Sequence, residues 1–429
     1  MEAAIEPATS MRGDLAVPGD KSISHRVLLL GAIAEGESSI GGLGVSEDTL
    51  ATAAAVRALG AEVEVDDGSA RIGGVGLRGL RAPGGPIECG NAGTLMRLLA
   101  GILAGQDGRF ELVGDESLSR RPLDRIAEPL EQMGARVETT DGHAPLVVEG
   151  AALRPIRYEL PVASAQVKSC VLLAGLYPET GPTVVVELHP SRDHTERLLE
   201  AVGARVRRKP REAGVWPPER LRPLALEVPG DFSAAAPFVV AASLLAGSEL
   251  RVHGVGINPT RTGFLAVLER MGARVSHFNR RNVGGEPVAD LEIASAELSA
   301  TEVRPEEVPT LVDELPLFAL AAGMARGTTV VRGAQELRVK ESDRIDSVKN
   351  VLKPLGVRIE TTHDGFRVRG VPSRPKGGGV VQTGGDHRIA ILAAVAGLVS
   401  REGVRIEGAE SVAVSFPDFF PVLDSLAVR

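Results

Sequence analysis

Cysteine is nearly missing from this chain: its 429 residues hold two, Cys89 and Cys170. Two isolated thiols offer neither a disulfide framework nor the paired spacing of a metal–thiolate centre. Aromatic residues make up only 3% of the chain, which excludes stacking on bases or sugars as the main recognition device. Positive charge is in deficit, with a formal net charge of −8. That balance is wrong for non-specific nucleic-acid binding, so any anion must be met by a local basic cluster. Lysine is the rare base, accounting for seven of the 48 basic residues. Lys21, Lys168 and Lys340 therefore stand out by type. Long apolar runs are also missing. "IAILAAVAGLV" falls short of the ~20 residues that cross a bilayer. The opening "MEAAIEPATSMRGDL" has no charged stretch followed by an apolar one, so no signal peptide is expected. The expectation is a cytoplasmic protein with no membrane or nucleic-acid partner. No GxxxxGK[ST] loop occurs, and no GxGxxG opens a helix after a strand, so common nucleotide cradles are not expected.

What is present is ordinary in bulk and unusual in arrangement. Hydrophobic residues make up 43% and charged residues 24%, enough for two or three domains with true cores. The strings "LGAEVEV", "MGARVET", "VGARVRR", "MGARVSH" and "LGVRIET" recur at intervals near 70 residues. Each follows an amphipathic run, which reads as a helix ending at a glycine and then a short strand. A second set interleaves with these, among them "KSISHRVLLLGAIAEG", "NAGTLMRLLAGILAG" and "DHRIAILAAVAGLVSREG". These runs are apolar on nearly every side, the pattern of a buried helix. Six units nearly fill the chain, each with one buried helix, one amphipathic helix and several strands. The last unit lacks a closing strand, which the N-terminus is expected to supply. Hinges are expected near Pro18–Asp20 and Gly230–Phe232.

Cations sit at the starts of several expected helices, where the helix dipole disfavours them. Lys21 and Arg26 open one such run. Arg121 precedes Pro122, a residue suited to the first helical position. Arg192 follows Ser191, which reads as an N-cap. Lys340, Arg344 and Arg388 complete the set. Any one case is explained by a neighbouring aspartate. Together they predict a site for a strongly anionic ligand. A helix end offers ~0.3–1 kcal/mol, whereas one charge pair at 4 Å gives ~4 kcal/mol at an effective dielectric of 20. The side chains, not the helix ends, would therefore set specificity. Asp313 and Glu341 are the acidic candidates for proton transfer. His189 and His194 lack a third ligand, so no metal site is expected.

The motifs "GDKSISHR", "GNAGTLMR", "RRPLDRI", "SAQVKS", "SRDHTE", "VDELP", "VKESDRI" and "GGDHRIA" span nearly the whole chain. Together they resemble the 5-enolpyruvylshikimate-3-phosphate synthase family, in its second-type, SAQ-containing form. The resemblance implies an α/β fold of two domains, an inside-out α/β barrel of six βαβαββ-like units. There would be three units per domain, with helices buried and sheets outside. Domain one would combine residues 1–19 and 231–429, domain two would be residues 20–230, and the active site would lie in the cleft between them. It further implies transfer of the enolpyruvyl group of phosphoenolpyruvate to the 5-hydroxyl of shikimate 3-phosphate, with no cofactor or metal, by a monomer. By motif, Lys21, Gly93, Arg121, Gln166, Arg344 and Arg388 would hold phosphoenolpyruvate. Lys21, Ser22, Arg26, Ser164, Ala165, Gln166, Arg192, Asp313 and Lys340 would hold shikimate 3-phosphate. Asp313, Glu341 and Lys21 would carry protons, and Asn91 and Thr94 would support the pocket. Ala165 replaces a serine common in the family, Leu98 a proline, and Val414 a lysine. Gly93 would admit the inhibitor glyphosate, while Leu98 and Val414 would weaken it. The alternative is the sister transferase acting on UDP-N-acetylglucosamine, which usually carries a reactive cysteine on a mobile loop. Neither cysteine here sits in such a setting.

Overall fold

The computed structural model describes all 429 residues. The chain divides into two compact units. The terminal unit combines residues 1–18, 230–281 and 287–429, and the inserted unit combines 19–229 with 282–286. Each has its own hydrophobic core.

Three buried helices form the centre of the inserted unit: Lys21–Ala32, Gly93–Leu103 and Ala165–Ala174. Three more, Phe232–Leu244, Leu315–Gly323 and His387–Val399, do the same in the terminal unit. All six are the apolar-all-round runs of the sequence, and such a run is stable only where every side is covered. Close approach is built in by small residues. A Cβ on Gly101 would overlap the Cys170 carbonyl, so the Gly93 and Ala165 helices pack with almost no gap.

Four of the six buried helices lie in the chain between two strands that pair in parallel, as a parallel pair requires. Ile87–Glu88 and Arg109–Val113 flank the Gly93 helix and pair in parallel. His143–Glu149 and Arg136–Thr140 then extend that sheet antiparallel. The same order recurs with Arg157–Glu159, Thr183–Val186, Glu212–Val215 and Val206–Lys209. It recurs again with Glu302–Val303, Gly327–Val331, Gly365–Gly370 and Arg358–Thr362. There are six sheets, three in each unit. The glycines that close the amphipathic runs, Gly60, Gly134, Gly203, Gly272 and Gly356, have φ between 90° and 111°. Only glycine enters that region without strain, which is why the repeat shows as a glycine in sequence.

Three repeats are completed by distant segments. Ala225–Glu227 pairs in parallel with Ser39–Gly41 and supplies the first strand of the sheet beside the Lys21 helix. In the terminal unit, Ser10–Ala16 runs parallel to Glu249–Gly256, and Glu2–Ile5 pairs antiparallel with Val404–Glu407. The expected N-terminal contribution to the last repeat is therefore present. No helix is long and apolar enough to cross a membrane.

Candidate active site

The inserted unit gathers cations around the start of the Lys21 helix. Asp20 caps this helix, its carboxylate accepting from the Ile23 N–H at 2.9 Å. With that donor satisfied by Asp20, Lys21 turns its ammonium to Asp48 at 2.7 Å. One turn on, Arg26 is buried, and its guanidinium reaches only neutral acceptors. Nε donates to Thr195 Oγ1 at 2.7 Å, Nη1 to the Ser22 carbonyl at 2.7 Å and Nη2 to Ser169 Oγ at 2.8 Å. Burial and the nearby Arg192 push its pKa down to about 10, so it remains charged at neutral pH. Arg192 donates to Ser22 Oγ at 3.3 Å. His25, which lies between Lys21 and Arg26 in the chain, bonds Thr52 Oγ1 at 2.6 Å. Burial, Lys21 and Arg26 all lower its pKa, so it adds no further charge.

A second group lies at the start of the Gly93 helix. Arg121 donates to Asn91 Oδ1 at 2.6 Å, and Asn91 donates in turn to Asp115 at 2.8 Å. Gln166 accepts from Arg97 at 2.9 Å and donates to Thr94 Oγ1 at 3.0 Å. Ser164 caps the Ala165 helix through the Val167 N–H at 3.3 Å, which leaves Ala165 and Gln166 in its first turn. A Cβ at Gly93 would lie 2.7 Å from Arg97 Nη1 and 3.2 Å from Arg121 Nη1.

The terminal unit builds around a different device. Arg344 begins the helix Arg344–Leu352, and its side chain is 2% exposed. Asp386 takes Nε at 2.9 Å and Nη2 at 3.1 Å. Glu341 lies 2.5 Å and Asp313 3.8 Å from the same guanidinium. Burial opposes the charge, but Asp386, Glu341 and Asp313 outweigh it and raise the Arg344 pKa above its ordinary value. Asp386 also caps the His387 helix through the Arg388 N–H at 2.9 Å. Its own carboxyl is pushed up by burial and down, more strongly, by Arg344, for a net lowering. Arg388 lies 3.5 Å from Glu314, which also pairs with Arg261 at 2.9 Å. Lys340 follows the 3₁₀ turn Gln335–Val339 and is half-buried.

Two sequence expectations need correction. Arg121 is not at a helix start: Pro122 lies outside the helix Asp124–Met133, and Arg121 occupies the turn after Glu116–Ser119. Ser191 is not an N-cap either. The helix there runs His194–Ala201, and the Ser191 hydroxyl donates to Glu187 instead. Asp193, His194 and Glu286 bring ligand atoms within 4.8 Å of one another. Arg197 already pairs with both carboxylates, at 2.8 and 3.7 Å. Both thiols are buried, which pushes the Cys89 and Cys170 pKa values up to about 12. Sequence reading missed Asp48, Arg97, Glu314 and the anchoring role of Asp386. Arg97, Glu314 and Asp386 had a signal, since they lie in "GNAGTLMR", "VDELP" and "GGDHRIA"; Asp48 lies in none of these motifs and meets Lys21 from 27 residues away.

Comparisons with known proteins agree with the layout. The family model for EPSP synthase (3-phosphoshikimate 1-carboxyvinyltransferase) matches residues 5–423. A curated 3-phosphoshikimate 1-carboxyvinyltransferase of Acidithiobacillus ferrooxidans is 50% identical over 416 residues, covering 97% of this chain and 95% of the relative. Its counterpart in Desulforamulus reducens is 46% identical over the full length of both. The solved EPSP synthase of Acinetobacter baumannii superposes with a TM-score of 0.87 at 42% identity, covering 100% of this chain and 98% of that one. An enolpyruvyl transferase of Streptomyces tendae, at 21% identity and a TM-score of 0.79, shares the fold. The chain belongs to the EPSP synthase family.

Proposed function

We propose that the protein transfers the enolpyruvyl group of phosphoenolpyruvate to the 5-hydroxyl of shikimate 3-phosphate, releasing phosphate, as a step of aromatic amino acid biosynthesis. The observation that carries this reading is the half-identity to a curated 3-phosphoshikimate 1-carboxyvinyltransferase over nearly the whole chain.

In this reading the substrates are two anions. Shikimate 3-phosphate is held by Ser22, Arg26, Ser164, Ala165, Gln166, Arg192 and Lys340. Arg192 disfavours the charge of Arg26 in the absence of an anion, which supports a phosphate as the ligand that relieves it. Phosphoenolpyruvate is held by Lys21, Gly93, Arg121, Gln166, Arg344 and Arg388, with Asn91 and Thr94 bracing Arg121 and Gln166. The hydroxyl oxygen adds to the carbon bearing the phosphate as the vinyl CH₂ takes a proton, giving a tetrahedral intermediate. Loss of a methyl proton and departure of phosphate restore the double bond. Asp313 faces the hydroxyl as base, and Glu341 and Lys21 move the other protons. Glu341 beside Arg344 at 2.5 Å supports this division, since the guanidinium fixes the carboxylate's orientation.

We further place the enzyme in the cytoplasm as a monomer. Both sets of side chains come from one chain, and no helix is of membrane-crossing length.

The test is phosphate release from phosphoenolpyruvate, with shikimate 3-phosphate or UDP-N-acetylglucosamine as acceptor. Release is expected with the former only, and the rate falls by at least about 100-fold in Lys21→Ala, the scale of losing a positioned acid–base group. Release with the sugar nucleotide alone would overturn the reading.

A further inference from the structure

Lys168 has no place in the reaction just described, yet it is the one lysine among the buried side chains, at 1% exposure. Its ammonium uses all three donors on one segment of chain. Nζ lies 3.0 Å from Glu187 Oε2, 2.8 Å from Glu196 Oε1 and 3.2 Å from the Ser191 carbonyl. The Ser191 hydroxyl closes the loop on Glu187. The span from Glu187 to Glu196 is thus pinned at its two ends and at its middle. Arg192 follows the middle pin directly.

The neighbouring residue works on the other side of the same feature. Ser169 accepts from Arg26 at 2.8 Å and bonds Thr195 Oγ1 at 2.7 Å, and Thr195 accepts from Arg26 Nε. One turn of the Ala165 helix therefore sets both arginines: Ser169 touches Arg26, and Lys168 holds the backbone that carries Arg192. Burying three ions for stability alone is a poor solution, because an apolar trio of similar size does as well or better. The arrangement gains its sense from what it holds in place.

We propose that Lys168 is a positioning residue for the phosphate of the acceptor substrate, fixing the Glu187–Glu196 segment so that Arg192 stands beside Ser22 and Arg26. The proposal rests on the reading of the protein as an enzyme that binds shikimate 3-phosphate. Lys168 also acts through charge. It cancels one of two buried carboxylates, and Glu196 already favours the charged form of Arg26. Without the ammonium, Glu187 and Glu196 compete with the substrate for the two arginines.

The experiment compares the full-length wild type with Lys168→Met, Lys168→Arg and the double variant Lys168→Met/Glu196→Gln, which removes the stranded carboxylate so that folding is preserved. Shikimate 3-phosphate binding is titrated by calorimetry, and KM is measured for each substrate. Both Met variants should weaken shikimate 3-phosphate binding by about 10- to 100-fold, the cost of misplacing a binding group by an ångström or less. KM for phosphoenolpyruvate should change far less. Lys168→Arg should recover part of the loss. A folded double variant that binds shikimate 3-phosphate like wild type overturns the proposal, as does an equal rise in both KM values with no recovery by arginine. A wild type that neither binds nor turns over shikimate 3-phosphate instead overturns the functional reading on which the proposal stands.

Discussion

Arg344 and Arg26 are both buried guanidiniums, and the two units solve that burial in opposite ways. Arg344 is ringed by Asp386, Glu341 and Asp313, which raise its pKa. Arg26 meets two hydroxyls and a carbonyl, with Arg192 nearby, and its pKa is lowered to about 10. The first cation is offset by protein carboxylates, which it orients while also serving the proposed phosphoenolpyruvate site. The second has its hydrogen bonds satisfied by neutral groups, with no carboxylate bonded to it. Position in sequence does not distinguish them, since each lies near a helix start; only the chemistry of the partners does.

The largest expected effect comes from breaking the charged arrangement. Asp386→Asn takes away the charged acceptor of two Arg344 N–H groups in the interior and should destabilise the terminal unit by ~3–5 kcal/mol, the usual cost of removing one member of a buried pair. Urea denaturation followed by circular dichroism measures it. The same carboxylate fixes a pH dependence. Its pKa is lower folded than unfolded, so its contribution is complete above the unfolded value of about 3.9 and is lost as pH falls through the folded one. Wild-type stability should therefore be insensitive to this group from pH 5 to 8. Below about pH 4 it should fall more steeply than that of Asp386→Asn. Parallel acid profiles for the two proteins would refute the assignment.

Arg26→Met should behave differently. Its partners are neutral and can bond elsewhere, so the stability loss should be smaller, about 1.5–3 kcal/mol. Binding should suffer more, with shikimate 3-phosphate affinity down ~100-fold, or about 2.8 kcal/mol. If Arg26→Met destabilises the fold as much as Asp386→Asn while sparing affinity, the contrast between the two arginines is wrong. The smallest effect belongs to Gly93→Ala. The added methyl displaces the ends of Arg97 and Arg121, flexible groups that can yield, so KM for phosphoenolpyruvate should rise about 3- to 10-fold, worth ~0.7–1.4 kcal/mol. Stability should barely change. An unchanged KM would mean that neither guanidinium end is needed where it lies.

Much of the architecture was legible because it repeats a local signal. "DHRIAILAAVAGLV" is apolar on all sides and is a buried helix, and five glycines marked helix ends because no other residue enters that backbone region without strain. What escaped was non-local. Nothing in "LALEVPG" says that Ala225–Glu227 pairs with a strand nearly two hundred residues earlier. The misread helix starts have the same origin. Pro122 and Ser191 satisfy short-range rules, but Ser191 finds a better acceptor in Glu187, and the Asp124 helix begins two residues beyond Pro122. The cations themselves were legible by type and motif. Their partners were not, since Asp48 and Asp386 reach Lys21 and Arg344 across 27 and 42 residues.

The strands at the N-terminus have a consequence for how the protein is made. Ser10–Ala16 waits for Glu249–Gly256, and Glu2–Ile5 waits for Val404–Glu407. At roughly 5–20 residues per second of synthesis, the first strand leaves the ribosome on the order of 20–80 s before its partner exists. The three sheets of the inserted unit, by contrast, have every strand translated once Glu227 is in place. During that interval the nascent N-terminus is an unpaired β-edge, the kind of surface that invites aggregation or a chaperone. Moving Met1–Pro18 to follow Arg429 through a linker would remove the wait, with the loss of the pair between the Met1 ammonium and Glu410.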